Sequence, residues 1–495
     1  MLFRKYIVAI VISFMFGTSL FAQFSLSNKS LIAPVAADSV DIEYYKNKNW
    51  GSTTAQVLGL NAGVWAFNRY VMNTDYARIS WQSVRDNFRH GYVWDNDQMG
   101  TNLFLHPYTG GLYYNSARAN GFNMWQSSLY VMLGSNTWEL FLENEYPSIN
   151  DGVNTTLGGV MMGEVFYRTS DFLLDDRATG FSRFGRELAA LIISPTRGFT
   201  RLIRGDAWRV RQTSGRQFGS PNINTEVSVG IRNIELRDDI FDEGFGVAAD
   251  VALEYGERFE TDGWKPYDYF TFKGSVNLQK SQPFLEKIII LGRLYGTELI
   301  DSKKDYLNFG VYQHFSYYDS DTISDISSKV PYKFGTSACV GIGLMYNCKR
   351  LRNWNLNAYA HLNAVILGAS LSDHYSVGKR NYNMSSGFGV QAGIFCAYKN
   401  KISLSGWTDS YQMILKNDSP PHSEPEIIDP KGTNLKGDDS NSILNASTVK
   451  IELRLSEHLF LSSEYTSYIR STHYDYFDNV FSWTSEGRIM LTCKF

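Results

Sequence analysis

The chain has 495 residues, with 47 Lys and Arg against 50 Asp and Glu for a formal charge of −3. Such a length excludes a mini-protein or a disulfide scaffold, and without a basic excess the chain is not a general nucleic-acid binder, which needs a cationic surface. Aromatic residues make up 15% of it, a usage that suits strands near a membrane interface.

The amino terminus reads as an export signal: Arg4 and Lys5, an apolar run from Tyr6 to Phe16, then Thr18, Ser19, Leu20, Phe21 and Ala22. Basic, apolar and small-residue regions in that order predict a signal peptide over residues 1–22, cut after Ala22. The apolar run is too short for a permanent span, and no later stretch approaches twenty uninterrupted apolar residues, so a helical inner-membrane protein is excluded.

Residues 23–74 form an amino-terminal segment, and 75–205 a helical unit. Apolar residues recur at helical spacing over 58–72, 110–133, 136–145, 156–174 and 180–193. Gly110, Gly111, Gly121, Gly134, Gly158, Gly159 and Gly163 interrupt these stretches. Glycine weakens a helix in water but lets backbones approach closely, so tight helix packing or docking against strands is its expected use. The unit is expected in or under the lumen of the barrel that follows, as a plug.

From 206 to 495 the texture changes to alternation over segments of about ten residues, the period of a strand with one face to lipid and one to a polar lumen. Strands are expected near 222–234, 246–257, 267–280, 286–299, 305–318, 333–347, 353–369, 383–398, 400–413, 446–456, 458–472 and 484–495. In the last, Gly487, Ile489, Leu491, Cys493 and Phe495 share the lipid face, and Glu486, Arg488, Met490, Thr492 and Lys494 the other. Similarly, Phe270, Phe272, Gly274, Val276 and Leu278 oppose Thr271, Lys273, Ser275, Asn277 and Gln279. The fold class is therefore α+β: an antiparallel transmembrane β-barrel of about twelve strands with an amino-terminal helical subdomain. The stretch from Lys416 to Asn445, rich in Pro, Asp, Asn and Ser, reads as a long extracellular loop.

Residues able to do chemistry gather in the helical unit: His106, Arg118, Glu139, Glu143, Glu145, Ser148, Asp151, Glu164 and Arg168. One imidazole among carboxylates could supply a general acid and base, with burial raising one carboxyl and a nearby Arg lowering another. His106, Glu139, Ser148, Asp151 and Glu164 are the candidates. A polar network holding the helices together is the alternative, and it reads first. Ser148 stands in Pro147-Ser148-Ile149-Asn150-Asp151, without a G-x-S-x-G elbow, and reads as a helix cap before it reads as a nucleophile. Glu164 and Arg168, four apart, read as an ion pair. Glu139 and Glu143, also four apart, would repel unless Arg118, Arg168 or a cation lay between them. His106-Pro107 is expected to end a loop before a helix from Gly110.

No paired-His spacing or His-Glu-x-x-His suggests a metal, no Walker loop a nucleotide, and no cofactor is expected. Arg118, Arg168, His314 and His361 are expected to line the lumen. Tyr312, Tyr317, Tyr318 and Tyr359 read as part of an aromatic girdle, or else as sugar contacts. Cys339, Cys348, Cys396 and Cys493 form no close pair and read as free side chains.

Within the helical unit the residues Trp94, Asp95, Asn96, Asp97, Asn102, His106, Pro107, Gly110, Tyr113, Ala117, Arg118, Asn120 and Gly121 stand in a pattern. It continues through Ser127, Gly134, Ser135, Trp138, Glu139, Pro147, Ser148, Asn150, Asp151, Gly158, Gly159, Gly163, Glu164 and Arg168. The pattern resembles the domain of unknown function 3943, from exported proteins of Gram-negative bacteria in which a barrel usually follows. The resemblance spans roughly residues 75–190 and implies that architecture, with no activity to carry over.

The expected location is the outer membrane of a Gram-negative bacterium, with membrane lipid as a partner and the assembly machinery reading the strand that ends at Phe495. The expected role is a pore or transporter for a small solute or lipid-like molecule. An enzyme acting on envelope lipid or glycan, and a structural or adhesion protein using the loop at 416–445, are the alternatives.

Overall fold

The computed structural model describes residues 47–236, 245–261, 265–279, 282–322, 330–376, 380–417 and 436–495. The expected signal peptide and most of the expected loop at 416–445 lie outside the described residues.

Twelve strands close into one up-and-down antiparallel barrel. They are β1 Ile223–Leu236, β2 Phe245–Tyr255, β3 Phe270–Asn277, β4 Leu285–Asp301, β5 Asp305–Asp319 and β6 Lys333–Cys348. Next come β7 Trp354–Leu371, β8 Tyr382–Tyr398, β9 Ile402–Leu415, β10 Ser440–Arg454, β11 Leu459–Tyr474 and β12 Val480–Lys494. Each expected segment is a strand, although β10 begins at Ser440 rather than 446, which shortens the expected loop at its carboxyl end. The barrel closes where β1 pairs with β12, from Glu226 opposite Lys494 to Leu236 opposite Thr484. Both barrel termini lie at one end, with the turns at 302–304, 349–353, 399–401 and 455–458; longer connections lie mostly at the other end.

The expected alternation sets the two faces of the wall. On β12, Thr484, Glu486, Arg488, Met490 and Thr492 are buried inward, while Phe481, Trp483, Ile489 and Leu491 are exposed outward. Around the remaining circumference, register carries this parity from strand to strand.

Among the described residues seven α-helices precede the barrel: α1 Trp50–Tyr70, α2 Trp81–His90, α3 His106–Arg118, α4 Met124–Phe141, α5 Ile149–Leu173, α6 Gly180–Ile193 and α7 Pro195–Arg204. The expected helix over 110–133 is two helices, parted at Ala119–Asn123, and of the expected 136–145 only the part up to Phe141 is helical, as the end of α4. Asn123 starts the second by capping the Gln126 amide at 2.9 Å. Helices α2 and α7 were not anticipated; α2 opens on a Ser80–Ser83 capping box, and Pro195 leads α7. The expectation for His106-Pro107 is also corrected. A π turn over Thr101–Leu105 delivers the chain directly into α3, whose first residue is His106; the His106 amide bonds to the Thr101 carbonyl and Pro107 sits in the first turn of α3.

Close approach of α3 and α5 explains the glycines. A Cβ on Gly110 would stand 2.1 Å from the Thr155 carbonyl oxygen, and one on Gly159 would stand 2.6 Å from the Gly110 Cα. Such contact between backbones is typical of helices packed inside membranes.

The helical unit is not in the lumen, and this is the main correction to the expected fold. It packs on the outward face of the wall across β2 to β8. Phe166 meets Phe272 with ring centroids 6.5 Å apart, Phe104 meets Tyr317 at 6.1 Å, and Gln313 Nε2 donates to the Leu157 carbonyl at 2.9 Å. Phe272, Gln313 and Tyr317 are outward by register, alternating with inward Lys273, His314 and Tyr318. Two cores thus lie on opposite sides of the wall. The outer one joins Leu103, Tyr114, Met161 and Val165 of the helices to Leu253, Phe270, Ile290 and Phe315 of the strands. The inner one gathers Tyr318, Tyr332, Phe334, Tyr411 and Tyr468 in the lumen. The outward stripes of β2 to β6 are as apolar as the bare ones, and the helices cover them through close side-chain packing.

Candidate functional site

The first candidate site forms where the helical unit meets the long-loop end of the wall. Val93 bridges to Ser148, placing the Trp94–Asp97 loop beside the start of α5. The Asp95 carboxylate accepts from Asn102 Nδ2 at 2.8 Å, Asn150 Nδ2 at 2.9 Å and Ser148 Oγ at 3.1 Å. Burial opposes its ionisation, yet hydrogen bonds with Asn102, Asp151 and Asn150 together with the charge on His106 hold its carboxyl below the usual range. His106 Nε2 lies 3.5 Å from Asp151 Oδ1 and 3.9 Å from Asp97 Oδ2. The Asp97 side chain is 55% exposed, so this group opens at the rim.

Glu139 lies behind it and accepts the Ser148 amide at 2.8 Å, and Glu143 accepts Trp138 Nε1 at 3.0 Å. Neither Arg118 nor Arg168 separates the two carboxyls, as the sequence had suggested; Glu143 lies beyond the end of α4. Its carboxyl is pushed well above the usual range by burial and then by Glu139 and Glu145. Glu145 is pushed up to about 7 by burial, Asp97 and Asp95.

Ser148 is the cap of α5, its Oγ accepting the Asp151 amide at 3.2 Å while donating to Asp95. No imidazole addresses it. Glu164 stands apart, clamped on α5 between Arg118 Nε at 2.9 Å and Arg168 Nε at 2.8 Å, with Tyr114 Oη donating at 2.6 Å. His106, Glu139, Ser148 and Asp151 therefore converge and Glu164 does not. Arg118 and Arg168 do not line the lumen as expected, because they belong to this clamp on the outer side of the wall, where Arg168 also donates to the Pro266 carbonyl at 2.8 Å. Among the described residues no group of three or more His, Cys, Asp or Glu is placed to hold a metal ion.

The lumen holds a second candidate site. Arg232 of β1 lies 3.4 Å from Glu286 of β4 and 3.5 Å from Glu486 of β12. Arg488 pairs with Glu286 and Glu486 and reaches Asp250 of β2 at 2.8 Å. From the opposite wall, Tyr318 Oη donates to Asp409 at 2.6 Å, and Tyr468 stacks on Tyr332 with centroids 4.1 Å apart. Nearer the short-turn end, Lys450 and Lys494 pair with Glu226 and Glu452. The contacts that join distant strands, such as Arg488 to Glu286 and Tyr318 to Asp409, narrow the lumen with side chains. His314 and His361 lie on inward positions, Nε2 to Nδ1 at 3.1 Å. Tyr312, Tyr318 and Tyr359 also face inward and Tyr317 lies under the helical unit, so the girdle expected of these four is not formed. Buried His361 Nε2, Asn363 Oδ1 and Tyr312 Oη have no hydrogen-bond partner among the described residues, which suits an interior reached by water.

Reading the sequence missed Asp95 and Asp97 as chemical residues, although both stand in the family pattern. It also missed the belt of Arg232, Glu286, Glu486 and Arg488. The signal for the belt was available: each residue is a charge at an inward position of an alternating strand. What joins them is pairing across the lumen, which alternation does not encode.

A third feature is a recess of about 520 Å³ between α6 and α7, lined by Phe184, Leu188, Leu191, Leu202, Trp208 and Val210 among others. Arg183 and Glu187, 3.0 Å apart, also line it.

Residues 91–196 match the family described as Domain of unknown function (DUF3943), the resemblance read from the sequence. No curated protein matches the chain. Among solved structures, the NanC porin is 10% identical over 55% of this chain and 100% of its own, with a TM-score of 0.29. The outer membrane channel DcaP of Acinetobacter baumannii is 12% identical over 56% of this chain and 97% of its own, at 0.24. The COG4313 outer membrane channel from Pseudomonas putida F1 is 7% identical over 55% and 95%, at 0.27. Likenesses this weak carry nothing about solute or mechanism.

Proposed function

We propose that the protein is an outer-membrane barrel that passes a small solute or lipid-like molecule through its lumen, with the ion-pair belt as the gate. The observation that carries this reading is the charged interior, which none of the described helices enters: Arg232, Glu286, Glu486 and Arg488 meet within a wall whose bare outer face is apolar. Charges confined to the lumen are tolerable in a membrane barrel and costly on its lipid face. Side chains can move aside where a backbone plug could not. Membrane lipid is then the partner of the outer wall, and the assembly machinery would read β12 with Phe495. By the rule that short turns face the periplasm, the long-loop end is extracellular. In planar bilayers, Arg232→Ala with Arg488→Ala should raise open probability over the wild-type chain. Wild-type and variant protein that both pass neither ions nor solute would overturn the reading.

A second reading, an enzyme acting on envelope lipid or glycan, rests on the opening of His106 and Asp97 at the extracellular rim. Unchanged lipid and glycan profiles in a strain carrying His106→Ala and Asp151→Asn would remove its basis.

A further inference from the structure

The polarity of the helical unit is reversed relative to a water-soluble bundle. Many of its charges are buried, although Arg85 and Arg89 of α2 are exposed: Glu164, Arg118 and Arg168 form a buried clamp, Arg197 pairs with Asp171, and Arg201 pairs with Asp176 at 2.6 Å and Glu187 at 2.8 Å. Its large apolar side chains are outside. On α4, Trp125 and Leu129 are each 64% exposed, and Met132 and Leu133 are exposed beside them; Leu58 and Phe67 continue the surface on α1.

This surface stands beside the wall over the wall's height. At the long-loop end Asn102 bonds to Tyr382, the first residue of β8; at the other end Arg168 reaches Pro266, in the connection between β2 and β3. α5 runs between these levels, and α4 runs antiparallel to it. The covered outward stripe of β2 to β8 belongs to the same cylinder as the exposed Val229, Ile231, Ile489 and Leu491 on β1 and β12. Whatever medium bathes those four residues also bathes the outer face of the helices at that depth. The recess between α6 and α7 opens on the same unit and has room for a hydrocarbon chain.

From this reversed polarity and this position we infer that the helical unit lies in the bilayer alongside the barrel, its α1 and α4 surface solvated by lipid acyl chains. The inference rests on the barrel being a membrane protein. No helix among the described residues is long and apolar enough to cross a membrane by itself. Here none has to, because each presents one face to lipid and the others to helices or strands that satisfy its polar groups.

The test uses the full chain in lipid nanodiscs, with the four native cysteines replaced and one fluorescent label placed at Leu129→Cys, Ile489→Cys or Lys399→Cys. Phospholipid brominated along its acyl chains is the quencher. Leu129 and Ile489 labels should be quenched several-fold and to a similar degree, and the Lys399 label, in a turn, only slightly. Quenching at Ile489 without quenching at Leu129 would overturn the inference while leaving the membrane barrel intact; the face would then meet water or a second copy, which mass photometry separates. Absence of quenching at Ile489 as well would overturn the membrane reading itself, and the inference with it.

Discussion

Asn102 Nδ2 donates to Tyr382 Oη at 2.8 Å, so the turn before α3 is tied to the first residue of β8, 280 positions later in the chain. The same hydroxyl donates to the Asp97 carbonyl at 2.9 Å. Tyr382 thereby fastens the acidic rim to the wall. Tyr382→Phe leaves buried Asn102 and the part-buried Asp97 carbonyl each with one partner fewer, and should lower the stability of the docked helices by about 1–3 kcal/mol. Denaturant titration followed by helical circular dichroism reads it; a midpoint equal to the wild type would show that the bond contributes nothing.

Two alanines of identical chemistry should have opposite signs. Gly110→Ala drives a methyl into the Thr155 carbonyl, and the backbones must part at a cost of about 3 kcal/mol. Gly59→Ala meets nothing within 4 Å on exposed α1, and should stabilise that helix by about 1 kcal/mol. Thermal melts of both variants in one detergent give the comparison.

Stability should fall as pH rises. Glu145 is pushed up to about 7 in the folded chain against 4.5 as its ordinary value, and Glu143 is raised as well, so between those values the folded state holds protons that the unfolded state has released. The unfolding midpoint is expected to be higher at pH 5 than at pH 8. Asp95 shifts the other way and stays ionised across this window, so it adds no slope there. Glu145→Gln should flatten part of the profile, and an unaltered slope would refute the assignment.

Ser148→Ala removes the cap of α5 and the bond to Asp95, which should cost about 1 kcal/mol. If the serine were a nucleophile, Ser148→Thr, which keeps a capping hydroxyl and the stability, would still lose turnover of an envelope lipid substrate.

How much of this was legible follows from what each pattern encodes. Alternation in Ile489, Leu491 and Phe495 against Arg488 and Thr492 reports a two-faced wall, and strands of period two placed all twelve segments. It could not report which part of the outer face meets lipid: Phe270, Phe272 and Val276 read like Ile489 but lie under helices. The helical unit misled for a related reason. Arg118 and Arg168 suggested a wet lumen, because the sequence shows that a charge is present and not that Glu164 lies between them. The short helices α2 and α7 escaped because ten residues give periodicity too little length, although the caps at Ser80 and Pro195 were readable.

The helices cover one side of the cylinder and leave the β1 to β12 joint bare. Their docking surface does not exist until β2 to β8 have paired, so the helices can seat only on a sheet already formed, and because they stand clear of β1 and β12 their seating leaves the closing edges of the cylinder unobstructed.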